Sequence, residues 1–123
     1  MKYDPAVAPD PSKWLEARER ERIEAVLQYH KHAKERAGGP ETHAGVHCAV
    51  ETQLAEGHVA AGAALERLLR DGLDRHDAIH AIGSVLAAEI FEVVRSKRPH
   101  DPVAYARKLD ALTASKWRNG SSG

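Results

Sequence analysis

Two pairs of histidines are spaced four residues apart in this sequence: His43 with His47, and His76 with His80. In an α-helix this spacing is a rotation of about 40° and a rise of about 6 Å, so the imidazoles of a pair point the same way. Two neutral imidazoles one turn apart can take neighbouring positions around a transition-metal ion. The spacing therefore predicts two bidentate ligand pairs, which would supply four nitrogen ligands if they face each other.

One carboxylate extends this predicted site. Glu51 lies one helical turn beyond His47, where it could be a further ligand or could orient an imidazole N–H from outside the ligand set. An exposed helix glutamate is the alternative interpretation. A nitrogen-rich site of this kind suits zinc, or iron, nickel or copper with added water or carboxylate. We predict zinc or iron at the following residues: His43, His47, His76, His80 and Glu51.

Chance placement and a structural role are the competing explanations for the histidines. Eight histidines among 123 residues would give about 0.5 pairs at this spacing if placed at random. The alternative function is therefore a non-enzymatic helical interaction or oligomerisation domain, with histidines that serve only packing and hydrogen bonding. Its contact surface would be the alanine-rich segment 59–64. No nucleophile elbow, phosphate-binding loop or dinucleotide motif occurs, so the sequence does not decide whether the protein is an enzyme.

The elements that must position these residues are helices. Asp10-Pro11 and Asp101-Pro102 each combine an N-cap with proline at the first helical position, and Asp74 precedes another helical run. No segment alternates with the period of a strand. The sequence predicts an all-α five-helix bundle, mostly up-and-down and antiparallel, with helices over 11–37, 42–56 and 59–70, one from Asp74 that ends before Pro99, and one from Pro102.

Gly57 decides whether the two histidine pairs can meet. If residues 42–71 form two helices, the helices that carry the pairs run parallel, and both pairs lie at the same end of the bundle. If these residues form one continuous helix, the pairs lie at opposite ends. A single glycine costs only about 1 kcal/mol inside a helix, so the sequence leaves both arrangements open.

Charged and apolar stretches complete the helix assignments. Residues 16–24 are predicted to be solvated, with ion pairs Arg18–Glu21 and Glu19–Arg22 on one continuous first helix. The helix that follows Asp74 carries a stripe of small and apolar residues that extends from its histidines: His76, His80, Gly83, Ala87, Ile90 and Val94.

Composition excludes several classes of protein. Lys+Arg and Asp+Glu both number 18, so the chain has no general attraction to nucleic acid or to an anionic membrane, and no apolar run is long enough to span one. The single cysteine, Cys48, cannot form an internal disulfide and is expected to be a small buried thiol in a cytoplasmic protein. The predicted organisation is an N-terminal arm (1–10), one helical domain (11–118) that could form a homo-oligomer, and a flexible tail (119–123).

The segment from His43 to Leu112 resembles a family of small bacterial helical domains of unknown function. The matching motifs are paired H-x-x-x-H helices, here His43 to His47, and then Gly72-Leu73 followed by His76 and His80, with a final Tyr105-x-x-x-Leu109 helix. The resemblance implies that the four histidines belong to one shared motif and that residues 54–62 separate two helices. It implies no activity.

Overall fold

The computed structural model describes residues 1–31 and 40–121, and every regular element in these two ranges is a helix. The prediction of an all-α protein is therefore confirmed, although the described ranges hold seven helices where five were predicted. No helix within them combines the length and hydropathy needed to cross a bilayer. The helices are α1 (Pro11–Glu16), α2 (Glu19–Lys31), α3 (Pro40–Ala55), α4 (Val59–Arg70), α5 (Arg75–Ser96), α6 (Pro102–Ala111) and α7 (Ala114–Ser121).

The chain divides into two compact units, Met1–His58 and Val59–Gly123. In the first unit, α1 and α2 both pack on α3. In the second unit, α4, α5 and α6 pack against one another in all three pairs.

Three aspartates begin helices as the sequence predicts. The Asp10 carboxylate accepts a hydrogen bond from the backbone N–H of Lys13 at 3.2 Å. Asp74 accepts the backbone N–H of Asp77 at 2.8 Å, and Asp101 caps α6 in the same way. Each side chain replaces a hydrogen-bond acceptor that the first turn of a helix lacks, which is why these residue types mark the starts so reliably.

The helix break at Gly57 is confirmed. Gly57 has φ +77°, in the left-handed region, and its backbone N–H donates to the Leu54 carbonyl at 3.1 Å. The N–H of His58 donates to the Gln53 carbonyl at 2.9 Å. These two bonds form a Schellman motif, which satisfies the last carbonyls of α3 and stops the helix. Two helices, α3 and α4, therefore cover the stretch for which one continuous helix was the alternative.

The first predicted helix is interrupted at Ala17, so the prediction of one continuous helix there is wrong. Glu21 accepts the backbone N–H of Arg18 at 3.1 Å, which caps the start of α2. The guanidinium of Arg22 donates to the carbonyls of Ala17 and Leu15, both at 3.0 Å, which caps the end of α1. The charged side chains that were predicted to be solvated ion pairs thus satisfy the backbone at the break.

The core of the first unit holds α1 against α3. Trp14 is 1% exposed, and its indole N–H donates to the Thr52 hydroxyl at 3.0 Å. The arm before α1 also belongs to this core, because the side chain of Tyr3 is buried in it. Residues 32–37, the end of the first predicted helix, lie outside the described residues. The buried members of the core are Tyr3, Trp14, Ala25, Val26, Ala44 and Cys48.

Hydrogen bonds connect α4 to the end of α6 in the second unit. The Arg67 guanidinium on α4 donates to the Leu109 carbonyl at 2.7 Å and to the Leu112 carbonyl at 2.9 Å. The Thr113 hydroxyl then accepts the backbone N–H of Lys116 at 3.1 Å and starts α7, a helix that was not predicted. α7 runs to Ser121, into the stretch expected to be a tail.

The prediction of a contact surface at residues 59–64 is wrong for two of its alanines, because they are not accessible. Ala61 and Ala64 are fully buried, whereas Val59 at the start of α4 is 84% exposed. The chain itself therefore already covers Ala61 and Ala64, whereas Ala63 is exposed.

We expect Gly57→Ala and Gly62→Ala to change stability in opposite directions. An added Cβ meets no atom within 4 Å at either position, so only backbone conformation differs. At Gly57 a side chain is strained at positive φ, and we expect a loss of about 1 kcal/mol. In α4, alanine is the better helix former, and we expect a gain of about 0.5–1 kcal/mol. Urea unfolding followed by circular dichroism measures both, and shifts of the same sign would contradict the proposed basis of the break.

Candidate metal centre

Each histidine pair lies on a single helix with its two rings in contact, as the spacing predicts. On α3, the rings of His43 and His47 are stacked, with centroids 5.2 Å apart and an interplanar angle of 30°. On α5, the rings of His76 and His80 meet edge to face, with centroids 4.4 Å apart. Both pairs therefore meet the first requirement of a bidentate site, which is that the two imidazoles lie side by side.

Three of these four histidines form a group that could hold a metal ion. His43, His47 and His80 each offer one ring nitrogen, and these nitrogens lie within 4.8 Å of one another. His47 is buried, while His43 and His80 are half-buried. His76 and Glu51 do not belong to this group, so their assignment as ligands stays a prediction.

Tyr3 contacts His47 at its Nδ1 atom. The Tyr3 hydroxyl lies 3.2 Å from Nδ1 of His47 and donates to Oε2 of Glu51 at 2.5 Å. Because the phenolic proton is given to Glu51, the phenolic oxygen can accept a hydrogen bond only if Nδ1 of His47 carries its proton. This assignment places the lone pair of the neutral imidazole on Nε2, the nitrogen that could bind a metal.

Aromatic contacts hold Tyr3 in this position. The centroid of its ring lies 5.7 Å from that of Trp14, and 6.4 Å from that of Tyr29 in an edge-on arrangement. The ring of His47 is also edge-on to Tyr3, at 6.0 Å. Edge-to-face packing of this kind restricts ring rotation, so the hydroxyl is directed toward His47 and Glu51 before any ligand arrives.

The alternative interpretation of Glu51, as an exposed helix glutamate, is wrong. The side chain is buried, with the residue 1% exposed. Burial of a carboxylate is costly unless hydrogen bonds compensate for lost water, and Tyr3 supplies one of these bonds. Hydrogen bonds therefore connect Glu51 to His47 through the Tyr3 hydroxyl, and the role of Glu51 as a ligand or as an orienting group stays a prediction.

A second polar group lies in the first unit around Thr52. Its hydroxyl oxygen accepts hydrogen bonds from the Trp14 indole at 3.0 Å and from the Arg22 guanidinium at 3.3 Å. The thiol of Cys48 is buried nearby, and this burial raises its pKa above the ordinary value, although a hydrogen bond from Thr52 opposes the shift. The expectation of a small buried thiol at Cys48 is confirmed.

Tyr3 is the functional candidate that the sequence did not indicate. It lies in the arm before the first helix, 44 residues from His47 and 48 from Glu51. No spacing rule connects residues so far apart in a chain. The only available signal was its type, since tyrosine combines a large apolar ring with a hydroxyl that usually finds a hydrogen-bond partner when buried.

Comparison with known proteins leaves the site to be interpreted from its own geometry. No protein-family model matches the chain, and neither a curated protein nor a solved structure is found to be similar to it.

The raised pKa of the Cys48 thiol predicts slow chemical modification. At pH 8 the thiol is protonated and buried, and only the thiolate attacks disulfide reagents. We expect the folded protein to react with Ellman's reagent at least about 100-fold more slowly than the protein unfolded in guanidinium, which serves as the control. Equal rates in the two states would show that Cys48 is accessible.

Proposed function

We propose that the protein binds one divalent transition-metal ion through His43, His47 and His80. The observation that carries this proposal is the grouping of their three ring nitrogens within 4.8 Å. Two nitrogens on one tetrahedral zinc ion are about 3.3 Å apart, because each Zn–N bond is about 2.0–2.1 Å long. Side-chain rotations that shorten these separations by up to about 1.5 Å would therefore complete the coordination.

Zinc or iron is the ion that this donor set suits. Neutral imidazole binds both, and three protein ligands leave at least one coordination position for another group. His76 and Glu51 remain the protein side chains proposed for that position, with water as the alternative. A bound water would give zinc hydrolytic chemistry, whereas iron would add redox chemistry.

The hydrogen bonds behind His47 support the proposal. Metal-binding histidines commonly donate the second ring N–H to a carboxylate, a carbonyl or a water molecule, which fixes the tautomer and makes the ligand nitrogen more basic. Here the relay runs from His47 through the Tyr3 hydroxyl to the Glu51 carboxylate. A histidine that served only packing would not need a buried carboxylate behind it.

A zinc titration of the chelator-stripped protein tests the proposal. We expect one zinc ion per chain by isothermal titration calorimetry, and stabilisation by about 2.7 kcal/mol at a free zinc concentration about 100 times the dissociation constant. Alanine at His43, His47 or His80 should each weaken binding by at least about 100-fold, because one of three ligands is lost.

His100→Ala is the matched control for these variants. His100 is exposed and lies outside the group of three, at 3.6 Å from Glu89, so its loss should leave zinc affinity unchanged. Circular dichroism confirms that each variant is folded. Less than about a tenth of an equivalent of zinc or iron bound, together with an unchanged melting temperature on adding either ion, would contradict metal binding.

Removing the relay should weaken the site without destroying it. We expect Tyr3→Phe and Glu51→Gln each to lower zinc affinity by about 10–100-fold at unchanged stoichiometry, because His47 loses its orienting partner. Competition with a chromophoric chelator measures the affinity. Tyr105→Phe removes another buried tyrosine hydroxyl, on α6, and serves as the control.

The two relay variants also separate the roles open to Glu51. Equal losses for Tyr3→Phe and Glu51→Gln would support a relay that acts only through His47. A much larger loss for Glu51→Gln would identify Glu51 as a ligand. No loss in Tyr3→Phe would contradict the relay.

A further inference from the structure

A groove open to solvent lies in the second unit, beside the second half of α5. The cavity has a volume of about 240 Å³. Its lining combines aliphatic side chains with one carboxylate and one imidazole: Leu86, Glu89, Ile90, Val93, Val94 and His100. A concave apolar surface with a few polar groups is the usual form of a site for a small organic molecule.

Two of the four apolar residues that line the groove, Ile90 and Val94, belong to the stripe that the sequence predicts on α5. This stripe is buried at Gly83, but farther along the helix Ile90 is 49% exposed and Val94 is 72% exposed. The fold therefore does not use the end of the stripe for its own packing. A ligand that covered Ile90 and Val94 would remove this apolar surface from water, which is favourable.

Glu89 is the buried polar member of the groove. Its side chain is 7% exposed, and its Oε2 accepts a hydrogen bond from Nζ of Lys108 on α6 at 3.1 Å. The other oxygen, Oε1, lies 3.6 Å from Nδ1 of His100, which is longer than a hydrogen bond. Glu89 and His100 both line the groove, so we assign Oε1, the oxygen closer to His100, to the groove side. A carboxylate oxygen has two lone pairs, so Oε1 can accept a hydrogen bond from a ligand.

The charge around Glu89 selects a neutral donor over a cationic one. The ammonium of Lys108 already balances the carboxylate at 3.1 Å. A ligand ammonium at Oε1 would be a second positive charge on a carboxylate that Lys108 already neutralises, and the two cations would repel each other. An uncharged N–H or O–H group makes the hydrogen bond without this repulsion.

The volume of the groove sets the size of the ligand. An apolar cavity of about 150 Å³ holds benzene, with six carbon atoms, so in proportion this groove of about 240 Å³ accommodates about ten non-hydrogen atoms. A rigid ring system loses less conformational freedom on binding than a flexible chain of the same size. An aromatic molecule of two fused rings therefore fits the groove best.

We propose that this groove binds a small, neutral aromatic molecule that carries one N–H or O–H donor. The rings lie on Ile90, Val93 and Val94, and the donor bonds to Oε1 of Glu89. The site lies wholly within the second unit. It is independent of the proposed metal centre, so either proposal can fail without the other.

Indole is the probe, and benzofuran is its matched control ligand, in which an oxygen atom replaces the N–H group. Titrations followed by ¹H–¹⁵N NMR are run with EDTA present, so that no metal is bound. We expect indole to shift the amide signals of residues 86–94 with a dissociation constant of about 1 mM or lower. Benzofuran should bind about tenfold more weakly, because it cannot donate to Glu89.

Two results with the wild type would overturn the proposal. One is the absence of shifts in residues 86–94 at indole concentrations up to about 5 mM, several times the expected dissociation constant. The other is binding of benzofuran as tight as that of indole, because this would show that no donor is recognised.

A pair of tryptophan variants tests the location of the site. Val94→Trp places a large side chain at the groove and should abolish indole binding. Val103→Trp makes the same change at another exposed valine, on α6 and 60% exposed, and should bind indole like the wild type. If both variants bind indole equally well, the ligand does not occupy this groove.

A second pair of variants tests the role of Glu89. In Glu89→Gln, the preference for indole over benzofuran should fall from about tenfold to within about threefold, because the charged acceptor is lost. Glu92→Gln removes a half-exposed carboxylate of the same helix that does not line the groove, and it should keep the full preference. Circular dichroism establishes that each variant is folded. An undiminished preference in folded Glu89→Gln would show that this carboxylate is not the acceptor.

Discussion

The hydrogen bond from Tyr3 to Glu51 is the interaction on which the rest of the first unit depends. A carboxylate removed from water is unfavourable by several kcal/mol unless hydrogen bonds replace its hydration. Tyr3 makes such a bond and at the same time fills the apolar space beside Trp14. The side chain of Tyr3 therefore offsets part of the free-energy cost of burying Glu51 and attaches the arm to α3. It also determines that Nδ1 is the nitrogen of His47 that carries the proton.

Local signals were enough to predict most of the helix boundaries. Asp10, Asp74 and Asp101 cap helices because a short carboxylate can reach the N–H groups of the next turn, whatever surrounds it. Gly57 ends α3 because glycine tolerates the left-handed backbone that closes a Schellman motif. The four-residue spacing of the histidines likewise required only helix geometry to bring His43 beside His47.

The features that could not be predicted depend on partners far away in the chain. Glu21 and Arg22 fit a continuous helix with ion pairs as well as they fit two helix caps. The contact of α1 with α3, where Trp14 bonds to Thr52 across 38 residues, is likewise invisible in local spacing. The burial of Glu51 depends in the same way on Tyr3. Spacing within a helix also does not determine which three of four histidines form a group, because that is a property of tertiary structure.

The long sequence distance between the arm and α3 also affects the order in which these two segments are synthesised and packed. Tyr3 is made 44 residues before His47, and ribosomes add about 5–20 residues per second. For that interval Tyr3 has no α3 to pack on, and α3 itself must leave the exit tunnel before Tyr3 can contact it. The part of the first unit that is translated earliest is therefore among the last to reach its place, since contacts between distant residues form late and slowly.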